Sequence, residues 1–151
     1  MTNDERGWCI CQLVPGALYS GSWIDGSVVW LDGRPIPTDE EIEAEYERWQ
    51  AEIAREECIA EAEATFNATI EAGYEHTDGH TYYCTRDGVM DLCMAVMLND
   101  SAPEEPAYML DIEGNIVEKT VAEFKALAML IGRYHYNVRQ TYWAALAACE
   151  V

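Results

Sequence analysis

The chain has 151 residues, and half of them are hydrophobic, which is enough for a compact domain without metal or disulfide cross-links. Nine basic residues stand against 28 acidic ones, and the resulting net charge of −19 opposes binding to nucleic acid or to an anionic membrane. The amino-terminal residues lack the pattern of a secretory signal and no stretch is apolar enough to span a bilayer, so we expect synthesis in the cytoplasm.

Residues 1–37 are predicted to form a β-hairpin and other short strands. They are rich in Trp, Tyr, Val, Gly and Pro and show no helical period. Asp25-Gly26 lies between two runs of strand-forming residues that include Trp23 and Trp30, and an Asp-Gly pair suits the turn of a hairpin. Two prolines near the end of this segment favour an extended exit.

A long acidic helix is predicted over residues 38–72. Thr38 and Glu41 have the spacing of a capping box, and no Pro or Gly follows until Gly73. The helix would therefore have about 35 residues and a length of about 52 Å. Residues 38–78 contain fourteen acidic and two basic residues, a pattern typical of a solvated helix face.

The apolar residues of this helix form two sets on different faces. The first set contains Ile42, Tyr46, Trp49 and Ile53, and the second contains Ile59, Ala62, Phe66 and Ile70. The second set is displaced by roughly 240° around the helix axis. Either the helix breaks near residues 55–57, or its halves pack on different partners: the first on residues 1–37, the second on residues 73–151 or on another copy of the chain.

Residues 73–118 are predicted to contain a strand, a short helix and a small hairpin. Turns are expected at Gly73 and at Asp78-Gly79, before a strand at residues 80–84. An apolar helix follows, and then a hairpin whose strands flank residues 113–115.

The last predicted element is a long helix that opens with a second capping box, at Thr120 and Glu123. Apolar residues recur every three or four positions to the end of the chain, over about 31 residues or about 46 Å. Trp143 and other apolar residues widen this stripe beyond what one neighbour would cover. The fold class is therefore α+β and mostly helical: N-terminal β-hairpin, long acidic helix, small β-hairpin with a short helix, long C-terminal helix.

No residue pattern indicates an enzyme, a metal centre or a cofactor. His76, His80 and Cys84 are four apart, as metal ligands on one helix face can be, but the intervening Asp-Gly pair predicts a turn that separates them. Cys84 could pair with a histidine as a nucleophile, yet no glycine-rich oxyanion loop accompanies it. In a reducing cytoplasm all six cysteines are expected to be free thiols.

Residues 73–150 resemble a domain of unknown function that is found in tail-fibre and tail-assembly proteins of bacteriophages. The matching motifs are Gly73, Asp78-Gly79-His80, Asn115 and the segment from Thr120 to Phe124. Residues 27–52 more loosely resemble the segment that precedes this domain in phage proteins. These motifs are caps and turns, so the resemblance carries over no catalytic residue.

The resemblance implies a structural protein of the phage virion, located in its tail and present in several copies. Its expected partners are copies of itself, as a trimer or a higher oligomer, and other tail proteins. Two long helices with surplus apolar surface favour the same interpretation. The candidate interface residues are Trp23, Trp30, Trp49, Ile53, Phe66, Ile70, Tyr134, Val138, Tyr142 and Trp143.

Two other functions remain open. The chain could assist fibre assembly as a chaperone that is absent from the particle. Alternatively, it could imitate DNA, because the carboxylates of residues 38–72 would present rows of negative charge to a host DNA-binding enzyme.

Overall fold

The computed structural model describes residues 1–150 and is 58% helical, so the predicted mostly helical α+β class is confirmed. The described residues form four helices and three two-stranded antiparallel sheets. They belong to two compact units, Met1–Glu57 (unit 1) and Cys58–Val151 (unit 2). The division falls inside the long acidic helix.

Unit 1 begins with a helix, α1 (Asn3–Leu13), where the sequence predicts strands. That prediction is wrong for these residues. Thr2 and Glu5 form a capping box that starts α1, although Gly7 within the helix has a low helix propensity. An added Cβ at Gly7 would lie 2.5 Å from the hydroxyl oxygen of Tyr19, so a larger residue there would displace the Tyr19 side chain.

Unit 1 contains a hairpin in which β1 (Tyr19–Ser20) pairs with β2 (Val29–Trp30), with strands of two residues each. The predicted first strand at Trp23 is wrong, because residues 23–26 form a turn within a longer connection. Gly26 has a φ of +72°, which explains the glycine in this connection.

The long helix α2 (Asp39–Ala72) is continuous, as predicted. The Thr38 hydroxyl accepts a hydrogen bond from the Glu41 amide at 3.2 Å, and the Glu41 carboxylate accepts one from the Thr38 amide at 2.8 Å. No break occurs at residues 55–57. The first half of α2 packs in the core of unit 1 through Ile42, and the second half packs in the core of unit 2 through Ile70.

Unit 2 contains two hairpins and two helices besides the end of α2. In chain order they are β3 (Tyr74–Glu75), β4 (Thr81–Tyr82), α3 (Arg86–Asn99), β5 (Pro106–Leu110), β6 (Ile116–Thr120) and α4 (Val121–Ala148). Each was predicted with bounds that differ by a few residues, apart from β3, which falls between the two predicted turns. Gly73 has a φ of +80°, and a Cβ there would lie 2.7 Å from the Tyr82 carbonyl oxygen.

The core of unit 2 forms where α3, α4 and the hairpins pack together. Its buried side chains are Ile70, Tyr82, Cys84, Leu92, Val96, Val117, Phe124, Leu127 and Ile131. The core of unit 1 is smaller and consists of Cys9, Ile10 and Ile42, surrounded by half-buried aromatic side chains.

A disulfide joins Cys58 of α2 to Cys149, the residue that caps α4. The expectation of six free thiols is therefore wrong for this pair and holds for the other four cysteines. The rings of Phe66 and Tyr142, with centroids 4.8 Å apart, form a second contact between the two helices. The two contacts run in opposite sequence directions, so these parts of α2 and α4 are antiparallel. This packing, rather than any local motif, brings together two cysteines that are 91 residues apart.

Candidate docking surfaces

The most buried charged group in the described part of the chain is Asp111, which is 2% exposed and begins the β5–β6 turn. Its carboxylate accepts hydrogen bonds from Nδ2 of Asn115 at 2.9 Å and from Nδ1 of His80 at 2.8 Å. It also accepts from the backbone amides of Glu113 and Asn115. The hydrogen bond from Asn115, followed by that from His80, lowers the pKa of Asp111 to about 2.

A second carboxylate, Asp78, ties the β3–β4 hairpin to β6. It accepts hydrogen bonds from Nζ of Lys119 at 2.7 Å and from the hydroxyl of Tyr82 at 2.8 Å, and it lies 3.1 Å from Nδ1 of His76. Partial burial opposes ionisation of Asp78, but these bonds hold its pKa well below the ordinary value. Burial, with the bond to Asp78, raises the pKa of Tyr82.

The hydrogen bonds of Asp78 and Asp111 hold the turns of the two hairpins in place. His76 and His80 flank the β3–β4 turn, whereas Cys84 lies in the core with no exposed surface. Burial raises the pKa of the Cys84 thiol to about 11, so the nucleophilic thiolate is scarce near neutral pH. Within residues 1–150, no group of three or more His, Cys, Asp or Glu side chains is placed to hold a metal ion.

Three of the four predicted interface residues in unit 1 engage other aromatic side chains of that unit. Trp23 and Trp30 pack against the unit 1 core, where both face the ring of Tyr19. Trp49 stacks on Trp8 with ring centroids 4.5 Å apart. The fourth, Ile53, is half-buried on α2.

The six predicted interface residues in unit 2 are mostly engaged in the same way. Ile70 belongs to the buried core, and Phe66, Tyr134 and Val138 pack against it. Tyr142 contacts Phe66. Of all ten predicted residues, each of which is described, only Trp143 is strongly exposed, at 50%.

One apolar exposure that the sequence interpretation overlooked is the outer face of the β5–β6 hairpin. Tyr108, Leu110 and Ile116 are 61%, 53% and 73% exposed, and we call these three residues the hairpin surface. Leu110 and Ile116 are cross-strand partners. The intervening side chains Met109 and Val117 point to the core. The consecutive apolar residues of β5 were the available signal, since a strand with one solvated face alternates apolar and polar residues.

An open groove of about 390 Å³ adjoins the hairpin surface between α3 and β5. It is lined by Tyr83, Leu92, Tyr108 and Leu110, with Asp91 as its charged group. Helix α3 carries further exposed apolar side chains at helical spacing: Met90, Met94, Met97 and Leu98.

A separate groove of about 430 Å³ lies between α2 and α4, and the Cys58–Cys149 disulfide is part of its wall. Its remaining lining is mostly alanine, threonine and aromatic side chains, including Phe66 and Tyr142. The short side chains leave space between two helices that are held together at this disulfide.

No protein-family model, curated protein or solved structure matches this chain. None of the helices within residues 1–150 combines the length and the apolar character needed to cross a bilayer.

Proposed function

We propose that the chain is a non-enzymatic structural component of a tailed bacteriophage virion, docked in the tail, the tail fibre or the baseplate. The observation that carries the docking is the apolar outer face of the β5–β6 hairpin. The assignment to a phage rests on the resemblance of residues 73–150 to a domain of phage tail proteins.

The hairpin surface has the size of one contact within a larger assembly. At about 200 Å² for a whole large side chain, the exposed parts of its three residues amount to roughly 350 Å². At about 25 cal/mol per Å², their burial contributes roughly 9 kcal/mol. Association itself costs about 4–15 kcal/mol, so this surface needs the support of other contacts, as a multi-copy particle provides.

The test compares two aspartate substitutions at equally exposed isoleucines. Ile116→Asp places a charge on the hairpin surface, and Ile24→Asp does the same in unit 1, where the side chain is 75% exposed against 73% for Ile116. Particles purified from cells that supply either variant are analysed by quantitative mass spectrometry. We expect Ile24→Asp to be incorporated like the wild type and Ile116→Asp to be depleted at least about tenfold, because burying an unpaired charge costs several kcal/mol.

Deleting the chain and probing host lysate with it distinguish the two alternative functions. A chain that is needed for particle formation but absent from particles is an assembly chaperone. A chain that is not needed, and that captures a DNA-binding enzyme from host lysate in a salt-sensitive way, is a DNA mimic. The observation that favours the mimic is the row of exposed glutamates on α2: Glu40, Glu41, Glu43, Glu47, Glu52, Glu56, Glu57, Glu61, Glu63 and Glu71.

A further inference from the structure

Helix α4 has two apolar faces, and only one of them is covered within residues 1–150. The covered face includes Leu127 and Ile131, which are 2% and 0% exposed. Met129, Tyr136 and Trp143 lie seven residues apart and are 71%, 59% and 50% exposed. At 100° per residue these three side chains lie roughly opposite the covered face.

The seven-residue spacing is that of a helix that packs along another helix. A strict repeat of seven drifts by about 20° per repeat on a straight helix, and two helices cancel this drift by coiling around each other. Between the three large side chains on this face, Gly132 is small and exposed, and the exposed side chains of Arg133, Arg139 and Gln140 lie beside them. The glycine allows a neighbouring helix to come close at that point, and the arginines border the contact on both sides.

We propose that Met129, Tyr136 and Trp143, the α4 seam, pair with the α4 seam of a second copy of this chain about a two-fold axis near Tyr136. This inference deepens the proposed function, on which its setting in a virion rests, by naming the partner of α4. It uses a surface separate from the hairpin surface.

The charge distribution favours α4 as the place where two copies meet. The chain as a whole carries −19, and residues 38–78 contain fourteen acidic and two basic residues. Residues 119–151 contain four basic and two acidic residues, so two copies repel each other much less here than along α2. In addition, α2 contributes no large exposed apolar side chain among the described residues, so it offers nothing to cover the seam.

The area of the seam suits a dimer at the lower end of specific interfaces. At about 200 Å² for a whole large side chain, the exposed parts of the three residues amount to roughly 360 Å² per copy. The three residues of both copies would therefore bury roughly 720 Å² in a symmetric pair. The aliphatic stems of the flanking Arg133 and Arg139 must supply the remainder of the roughly 1,000 Å² at which specific interfaces begin.

The first test measures the mass of the oxidised full chain by light scattering at increasing concentration. We expect about twice 17.0 kDa for the wild type at tens of micromolar. Tyr136→Asp should weaken the dimer at least about a hundredfold, because it buries an unpaired charge at the axis. Tyr108→Asp is the matched control, since Tyr108 is 61% exposed on the hairpin and its substitution should leave the dimer intact.

The second test places a cysteine at the proposed axis. Tyr136→Cys is made together with Cys11→Ser and Cys93→Ser, which remove the two exposed free thiols. We expect a covalent dimer on mild oxidation, because residue 136 of one copy faces residue 136 of the other in any such two-fold pair. Cysteines at 129 and 143 then show whether the helices run parallel or antiparallel.

A monomeric wild type, a mass near three copies, or a Tyr136→Cys variant that forms no covalent dimer overturns the pairing. The proposed function fails separately: if the dimer forms but the chain is neither in particles nor dependent on Ile116 for docking, the pairing stands and the virion role does not. If Ile116→Asp is depleted from particles while the wild type is monomeric, the virion role stands and the pairing does not.

Discussion

The buried carboxylate of Asp111 shows how single residues hold the hairpins of unit 2 in place. A charge with 2% exposure is tolerable because four hydrogen bonds satisfy it. Two of these come from Asn115, which follows within the same turn and is part of a recognisable local pattern. His80 is 31 residues away, and its role as a partner of Asp111 follows only from the packing of one hairpin against the other.

Asp111→Asn should destabilise unit 2 in a way that depends on pH. The folded pKa of about 2 lies below the ordinary 3.8, so the stabilisation is complete above about pH 4 and is lost as the pH falls through about 2. We therefore expect the variant to melt several degrees below the wild type at pH 7 and the difference to shrink towards pH 2. Thermal unfolding followed by circular dichroism across this range measures it.

Asp91→Asn, at an exposed position of α3, is the control and should melt like the wild type throughout. A difference between Asp111→Asn and the wild type that stays constant from pH 7 to pH 2 would contradict the assigned role.

At the scale of elements, local sequence signals specify α2 and α4, whereas contacts between residues far apart in the chain join the two helices. Each helix begins with a threonine and a glutamate in a capping box, and each was predicted from that signal and its apolar period. Their mutual contact depends on Phe66 meeting Tyr142 and on the Cys58–Cys149 disulfide. In a reducing cytoplasm these two thiols would stay reduced until an oxidant formed the disulfide.

Removing this disulfide should lower the stability of unit 2. It closes a loop between residues 91 apart, and disulfides of this kind contribute typically about 2–4 kcal/mol, mainly by restricting the unfolded chain. We expect Cys149→Ser to lower the free energy of unfolding by that amount in a denaturant titration. The control is Cys11→Ser, which removes an exposed free thiol and should change it by less than about 0.5 kcal/mol. An unchanged midpoint for Cys149→Ser under oxidising conditions would refute the stabilising role.

At the scale of the whole molecule, the chain has two separate cores. Ile42 is fully buried in the core of unit 1, and Ile131 is fully buried in the core of unit 2. Separate cores permit each unit to open without the other. The change of face along α2 is the sequence signal of this arrangement, because each half of the helix buries its own apolar set.

Two alanine substitutions test whether the cores are independent. Ile42→Ala and Ile131→Ala should each cost about 2–5 kcal/mol, since both create a cavity. Hydrogen exchange measured by mass spectrometry should show faster exchange in residues 1–57 for Ile42→Ala and in residues 58–150 for Ile131→Ala. Equal acceleration in both units for either variant would show that the chain unfolds as one cooperative body.

The docking surfaces were only partly predictable. Apolar residues in excess of one neighbour's coverage were evident along α4, and Trp143 is 50% exposed. The other nine candidate interface residues were predicted from their residue type, and most of them pack within their own units. The sequence predicts the hairpin that contains Tyr108, Leu110 and Ile116. It does not indicate which face of that hairpin packs against α4, because neither strand alone determines this.

By itself, the sequence determined the two long helices, their capping boxes, the turns at glycine and the concentration of acid on α2. These features depend on residues within about four positions of one another, and local chemistry decides them. Only the tertiary structure decided the disulfide and which apolar faces of the hairpin and of α4 stay exposed. Those depend on contacts between residues far apart in the chain, which no local pattern specifies.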